Sequence, residues 1–417
     1  MAGALLFLAA IVLPLLRNGG VGTWDTIWIE DSVYTGEANA SGAFAVLFRG
    51  YAGYLQLVSR LLALPTTVIP ASWLSVYLAV SAATLCALGA AFVYRQTGGL
   101  VASVELRLVI AAMVVLSPAM AIETTATITN TIWTVLAVAP FAFISVRESG
   151  RDVAMRAGVA FLAATATALS VLFVPLALGY AIARRTRAAY TVAGVYAAGL
   201  VLQLLVVRVS PVAERSENSV RTLVDLFGLR VLGSFLVGER PLDQLWTSVG
   251  EPVVIVLIVL VAALFAYLLR GAGRRNQILA LVLLAYAGAA FVLPTWGRGT
   301  GAVGFELGVY SLNMTRYTVG PILLLVTTIA LLVDPAMEPR ARPLPFDGRK
   351  VVLVWAVLVL VVGFYYPTMR GVGPAWSTES ARVFAEACGG VASDQVVEVT
   401  TTPTTFTLAL PCRRLAP

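Results

Sequence analysis

The chain has 417 residues, a formal net charge of +7, 59% hydrophobic and only 12% charged residues. A soluble domain is about half apolar and about a quarter charged, so this composition excludes water as the main solvent. The absence of histidine and the presence of only three cysteines also exclude imidazole as base or metal ligand and leave no cysteine cluster with zinc-site spacing.

A hydrocarbon core about 30 Å thick needs roughly 20 apolar residues per helix, and about eleven runs approach that length. In chain order they are Ala2 to Leu16, Pro70 to Val93, Leu106 to Ile122, Thr131 to Val146, Ala157 to Leu169, Val171 to Ala183, Ala189 to Val207, Pro252 to Leu269, Ile278 to Pro294, Tyr317 to Val333 and Val351 to Tyr365. The first run lacks a basic lead-in and a small-residue cleavage site before Arg17, so it reads as a retained helix. The stretch from Ala157 to Ala183 reads either as one long tilted helix or as two short ones broken near Ser170 and Pro175.

Basic residues mark the cytoplasmic side of a membrane protein. About fifteen of the 29 Lys and Arg fall in short loops between alternate spans, among them Arg95, Arg147, Arg184, Arg270 and Lys350. This places the N-terminus in the cytoplasm and the C-terminus outside and makes the positive charge a topology signal. It is no sign of nucleic-acid binding, because no basic run is interleaved with aromatics in a foldable outer domain. The use of Arg almost to the exclusion of Lys, with abundant Ala and Val, suggests a GC-rich bacterial genome and hence a bacterial plasma membrane.

The fold class expected is thus an all-α polytopic membrane protein of about eleven spans, with a small outer C-terminal α/β cap. Residues 1–366 form the transmembrane part and 367–417 the extracytoplasmic region. Long outer segments at 17–69, 208–251 and 295–316, set against minimal inner turns, put recognition and chemistry at the outer face.

The first outer segment packs Asp25, Glu30, Asp31 and Glu37 beside Trp24, Trp28, Tyr34, Tyr51 and Tyr54. The adjacent Glu30 and Asp31 can supply a base toward a hydroxyl, its pKa raised by the like-charged neighbour; a solvated acidic loop would look similar. After Ser41 the pattern of Leu47, Tyr51, Tyr54, Leu55, Val58 and Leu62 predicts an interfacial helix, and its aromatics also fit a headgroup-level belt. Past Ser117-Pro118, Glu123 and Asn130 either face a cavity mouth or, for Asn130, cap the next helix. Arg49, Arg60, Arg298 and Arg316 stand near outer membrane boundaries, where arginines bind phosphate or simply snorkel to headgroups. Arg316-Tyr317 opens a helix, and the glycine-rich stretch before it, with Glu306 and Asn313, has the composition of a lid or a plain loop. In the tail, TESARVFAEAC predicts a short helix, VVEVTTTPTTFTLALPC two strands divided at Thr402-Pro403, and the outside location a Cys388–Cys412 disulfide.

An acidic pair in the first outer loop after a first membrane helix, in a chain of this span count with a small outer C-terminal part, resembles the C-type glycosyltransferase (GT-C) superfamily. The words WIEDSVY, FRGYAGYLQLVSRLLA, SPAMAIETTATITNTIW and NMTRY are similar to a group of uncharacterised bacterial membrane proteins of that type. The resemblance covers the whole chain in architecture and about sixty residues in recognisable words. It implies transfer of a sugar from a polyprenyl-phosphate donor to a lipid or cell-envelope glycan acceptor, with membrane lipids as further partners. Asp31 would then be the base, with Glu30 or Asp25 as substitutes, and Arg316 the first choice among the arginines for the lipid phosphate. No cofactor is required, although the acidic pair offers a place for a divalent cation. A transporter or flippase is the main alternative and should carry charges at mid-helix; a non-catalytic scaffold would account for the tail but not for the first loop.

Overall fold

The computed structural model describes residues 2–42, 44–118, 124, 126–207, 217–300, 315–334, 344–364, 369–389 and 392–415. Helix α1 (Ala2–Leu15) leads into α2 (Ile29–Ser41) and α3 (Leu57–Ala63) of the first long segment, followed by α4 (Leu74–Gln96). The interfacial helix expected through Leu47 and Leu62 does not form. Ala52, Gly53 and Gln56 have φ of 50°, 88° and 51°, which no right-handed helix accommodates, and Tyr51 and Tyr54 close a tight turn between them instead.

Helix α5 (Val104–Leu116) starts where the Ser103 hydroxyl accepts the Leu106 N–H and stops at Ser117, whose backbone is extended because Pro118 follows. It is therefore shorter than its apolar run. Helices α6 (Thr131–Val138) and α7 (Pro140–Ile144) meet at a proline. Next come α8 (Gly150–Ala166), α9 (Val174–Arg184) and α10 (Arg187–Val207). The choice left open by the sequence is resolved here: Thr167 is extended (φ −161°, ψ 156°), a short 3-10 turn follows at Ala168–Phe173, and Pro175 sits in the first turn of α9. The two helices are antiparallel, since Tyr180 near the end of α9 lies 4.6 Å below the Arg156 guanidinium near the start of α8.

Helix α11 (Val220–Leu226) runs through a π-helical stretch, Phe227–Gly233, into α12 (Ser234–Val237) and the amphipathic α13 (Glu239–Val249). Helices α14 (Pro252–Arg270), α15 (Arg274–Arg298), α16 (Val319–Val333) and α17 (Gly348–Val362) complete the bundle. Five helical stretches among the described residues are long and apolar enough to cross a membrane: Ala71–Gly99, Arg187–Val207, Pro252–Arg270, Arg274–Arg298 and Arg316–Val333. The last has 89% of its apolar window buried and forms the hub of the bundle, while Pro252–Arg270 and Arg187–Val207 have 28% buried and present apolar faces outward. An apolar helix with an exposed apolar face is at home in lipid.

The bundle has two chemically distinct ends. At one, Gln96, Ser145 and Asp152 are linked by hydrogen bonds and Asp334 accepts the N–H groups of Ala102 and Ser103 at the start of α5. The other end gathers α2, the start of α6, the end of α15 and the start of α16. There Arg17, fully buried, donates to the carbonyls of Ser117, Gly363 and Phe364 and so satisfies the C-termini of α5 and α17. Removal from water lowers the Arg17 pKa to about 10, which leaves the guanidinium charged at neutral pH.

The tail forms α18 (Met369–Val372), α19 (Trp376–Ala387), the antiparallel hairpin β1 (Val396–Thr400) with β2 (Thr407–Pro411), and α20 (Cys412–Leu415). Helix and hairpin lie where the sequence pattern predicts them. Cys388 and Cys412 are disulfide-bonded with Cα atoms 5.5 Å apart. Alternating burial along both strands turns Val397, Val399, Leu408 and Leu410 onto a core shared with Ile27, Tyr34 and Trp376.

Candidate functional site

Helix α2 is set by backbone contacts at its start. The Ile29 N–H donates to the Thr402 carbonyl and the Thr402 N–H to the Ile27 carbonyl, so the hairpin turn of the tail pairs with the chain just before Glu30. Trp28 belongs to this joint. It is buried and does not line the cavity that Glu30 faces, where its expected role in substrate binding would place it. Asp25 is likewise structural: its carboxylate accepts the Ser377 N–H and hydroxyl at the start of α19.

The two adjacent acids part company at the first turn of α2. Asp31 is fully buried; its Oδ1 accepts the Thr129 N–H at 3.0 Å and the Thr129 hydroxyl at 2.8 Å, and its Oδ2 accepts the Ile128 N–H at 3.3 Å. It holds the loop that leads into α6. Asp31 is therefore placed behind the wall, not in the cavity where a base must stand.

Glu30 points the other way, into a cavity of about 500 Å³. Its Oε1 lies 3.3 Å from Arg316 Nη1, while Oε2 is buried without a hydrogen-bond partner among the described residues. Arg298, Arg316 and Tyr317 line the same cavity, as do Tyr54 and Asn130. Asn130 stands at the N-cap position of α6, but its side chain makes no capping hydrogen bond there. Tyr317 packs edge-on against Trp133, ring centroids 4.6 Å apart.

Two expected residues fall elsewhere. Arg49 is exposed and not part of the cavity wall. Arg60 is buried, paired with Glu37 at 2.8 Å and stacked 5.0 Å from the Tyr34 ring, so it braces α2 against α3 and is not part of the cavity wall. Glu123 lies outside the described residues, as do Glu306 and Asn313 of the glycine-rich stretch. Among the described residues no group of three or more Cys, Asp or Glu side chains stands together as a metal site, and Glu30 faces an arginine where a cation site would need a second carboxylate.

Tyr51, Gln56, Thr129 and Trp133 also line the cavity. Burial raises the Tyr51 pKa, and the neighbouring Glu30 carboxylate adds to the rise. Its hydroxyl is thus a proton-bearing donor at neutral pH. Sequence could have flagged Tyr51 through Gly50 and Gly53, which mark a turn inside an otherwise helical pattern.

A narrower crevice continues from the cavity. Trp133, Leu293, Arg316 and Tyr317 border both, and the crevice follows α6, α15 and α16 down to Pro140 and Leu324 through apolar side chains alone. Its free volume is about 40 Å³, so a chain-like ligand enters only if those helices part slightly. Charge at the top and a dry slot beneath suit an amphipathic ligand with an anionic head. The sequence matches no known protein-family profile, and no curated protein is significantly similar to it.

Proposed function

We propose that this protein is a membrane glycosyltransferase of the C-type, moving a sugar from a polyprenyl-phosphate donor to an acceptor hydroxyl at the outer face of a bacterial plasma membrane. The observation that carries this reading is the juxtaposition of Glu30 and Arg316, 3.3 Å apart, at the head of an apolar crevice between α6, α15 and α16. The polyprenyl chain would lie in the crevice, its phosphate by Arg316 and Arg298, and the sugar in the cavity near Asn130 and Tyr51.

Glu30 accepts the proton of the acceptor hydroxyl while that oxygen attacks the anomeric carbon. The bond between this carbon and the phosphate oxygen breaks, and the electron pair leaves on the lipid phosphate, whose charge the arginines stabilise. Asp31 acts through position: it holds the Ile128–Asn130 loop that forms one wall. This reverses the roles that the resemblance implies for the two acids.

Eleven crossings remain the reading of the apolar runs in the sequence; five helical stretches among the described residues are long and apolar enough to cross a membrane. The gathering of basic residues at the Arg95 end supports a cytoplasmic N-terminus. A transporter or flippase would draw on the buried Arg230–Glu239 pair, 3.3 Å apart. That pair does not line the cavity, which favours the transferase.

The test is transfer of radiolabelled sugar from polyprenyl-phosphate sugars to a membrane lipid extract. Glu30→Gln should abolish transfer, by about 100-fold or more as expected for a lost general base, and Arg316→Ala should weaken it strongly. Transfer retained in Glu30→Gln would remove the assignment of the base, and no transfer by the wild type from any polyprenyl donor would turn the reading toward the transporter.

A further inference from the structure

Arginines at the end of the bundle remote from the cavity are held in two different ways. Arg95 pairs with Asp152 at 2.6 Å, and Arg156 donates to the carbonyls of Ala142 and Arg147. Arg107 and Arg147 do neither: their guanidinium groups donate to no acceptor among the described residues, and the Nε of each is buried.

These two cations converge on one spot. A Cβ built on Gly98 would lie 2.8 Å from Arg147 Nη2 and 3.4 Å from Arg107 Nη1. Both groups therefore meet over the Thr97–Gly99 turn, on a glycine that leaves them room. Neither is loosely tethered. The Arg107 guanidinium stacks 4.2 Å above the Tyr94 ring, and the Arg147 backbone is fixed on both sides, its N–H donating to Ser145 Oγ and its carbonyl accepting from Arg156.

Among the described residues the acids nearby face other groups, and Glu148, next in the chain to Arg147, lies 3.9 Å from Arg184. Glu105 accepts from the Ser103 hydroxyl at 2.6 Å, Asp152 binds Arg95, Gln96 and Ser149, and Asp334 accepts the Ala102 and Ser103 N–H groups. Two cations brought together with no counter-charge of their own among the described residues repel each other. Both side chains are half-buried with buried Nε atoms, and the outer ends of the two forks are left for an anion. A tetrahedral oxyanion between them would receive donors from two planar forks, the arrangement in which arginine binds phosphate best.

We propose that Arg107 and Arg147 bind a phosphate group over the Thr97–Gly99 turn, presented by an anionic lipid headgroup or as free phosphate. This site is independent of the transferase reading and lies at the opposite end of the bundle.

The experiment follows thermal unfolding of the full chain in phosphatidylcholine nanodiscs, with inorganic phosphate titrated in one arm and phosphatidylglycerol included in the discs in the other. Wild type should gain stability in at least one arm, and the arm that works identifies the source. Arg107→Gln and Arg147→Gln should each weaken the apparent affinity about tenfold, the size of one charge-assisted hydrogen-bonding partner. Arg147→Lys, which keeps the charge and loses the fork, should weaken it too and serves if a glutamine variant fails to fold. Arg151→Gln, an exposed arginine at the same end, should leave the response intact. A wild type that gains nothing in either arm, or a gain equally sensitive to Arg151→Gln or insensitive to Arg107 and Arg147, overturns the proposal.

Discussion

Neighbouring residues on a helix point about 100° apart, and at positions 30 and 31 this rotation gives two carboxylates unlike tasks. Asp31 accepts two backbone N–H groups and a hydroxyl in a dry place. Asp31→Asn should therefore cost about 2 kcal/mol of stability, because the amide cannot accept all these bonds and would bury an unmatched NH₂. Glu30→Gln should be close to neutral in the same thermal-unfolding measurement, which separates its loss of transfer from loss of fold. Acid tolerance is set in part by Asp152. Its hydrogen bonds, first of all from Arg95, hold the carboxyl down at about 2, below the usual value near 3.9. A depressed native pKa means that the stabilisation is complete above about pH 4 and fades as the pH falls toward 2. An acid-unfolding profile of Asp152→Asn should have lost that component of its slope.

At the scale of elements, helix ends are where this bundle spends its buried charges. Arg17 closes the carbonyl ends of α5 and α17, and Asp334 closes the amide end of α5. Arg230 and Glu239, both buried, join the π-helical stretch to the start of α13, where the Ser234 hydroxyl also donates to Glu239. Removing one partner of such a pair strands the other. Arg230→Ala should thus destabilise by about 3–5 kcal/mol, whereas Arg230→Met combined with Glu239→Leu should come close to wild type, since apolar replacement of a buried pair is often neutral. Thermal unfolding of the two variants tests this, and equal losses would show that the segment needs the charges.

At the scale of the whole molecule, the tail is a brace for the first loop. It joins α2 at Thr402, reaches Asp25 through Ser377, and seats Trp376 Nε1 on the Ala71 carbonyl and Arg414 on the carbonyls of Thr66, Thr67 and Ile69. The disulfide closes a loop with a sequence separation of 24. By loop entropy such a closure contributes about 3 kcal/mol to a piece too small for a core of its own. Cys388→Ser with Cys412→Ser should then speed proteolysis of the tail and, through Thr402 and Ile29, lower any activity that depends on Glu30. Transfer and cleavage measured on the same preparation check both effects, and a loosened tail with unaltered transfer would show that the brace does not reach the site.

Much of this architecture could be read from the chain itself, because its cause is local. Apolar runs make helices in a solvent without hydrogen bonds, Pro118 and Pro175 place breaks, and the alternation in VVEVT and TLALP makes the hairpin. Glu30, Arg298, Arg316, Tyr317, Tyr54 and Asn130 were legible as site candidates from residue type and membrane-boundary position. What sequence could not decide was direction and company. Arg60 and Arg316 look alike in the chain, yet one is spent on Glu37 and the other faces the cavity, since partners from distant segments determine what a charge does. The same holds for Arg107 and Arg147, which are ordinary boundary arginines until the start of α5 and the loop before α8 bring them over one glycine.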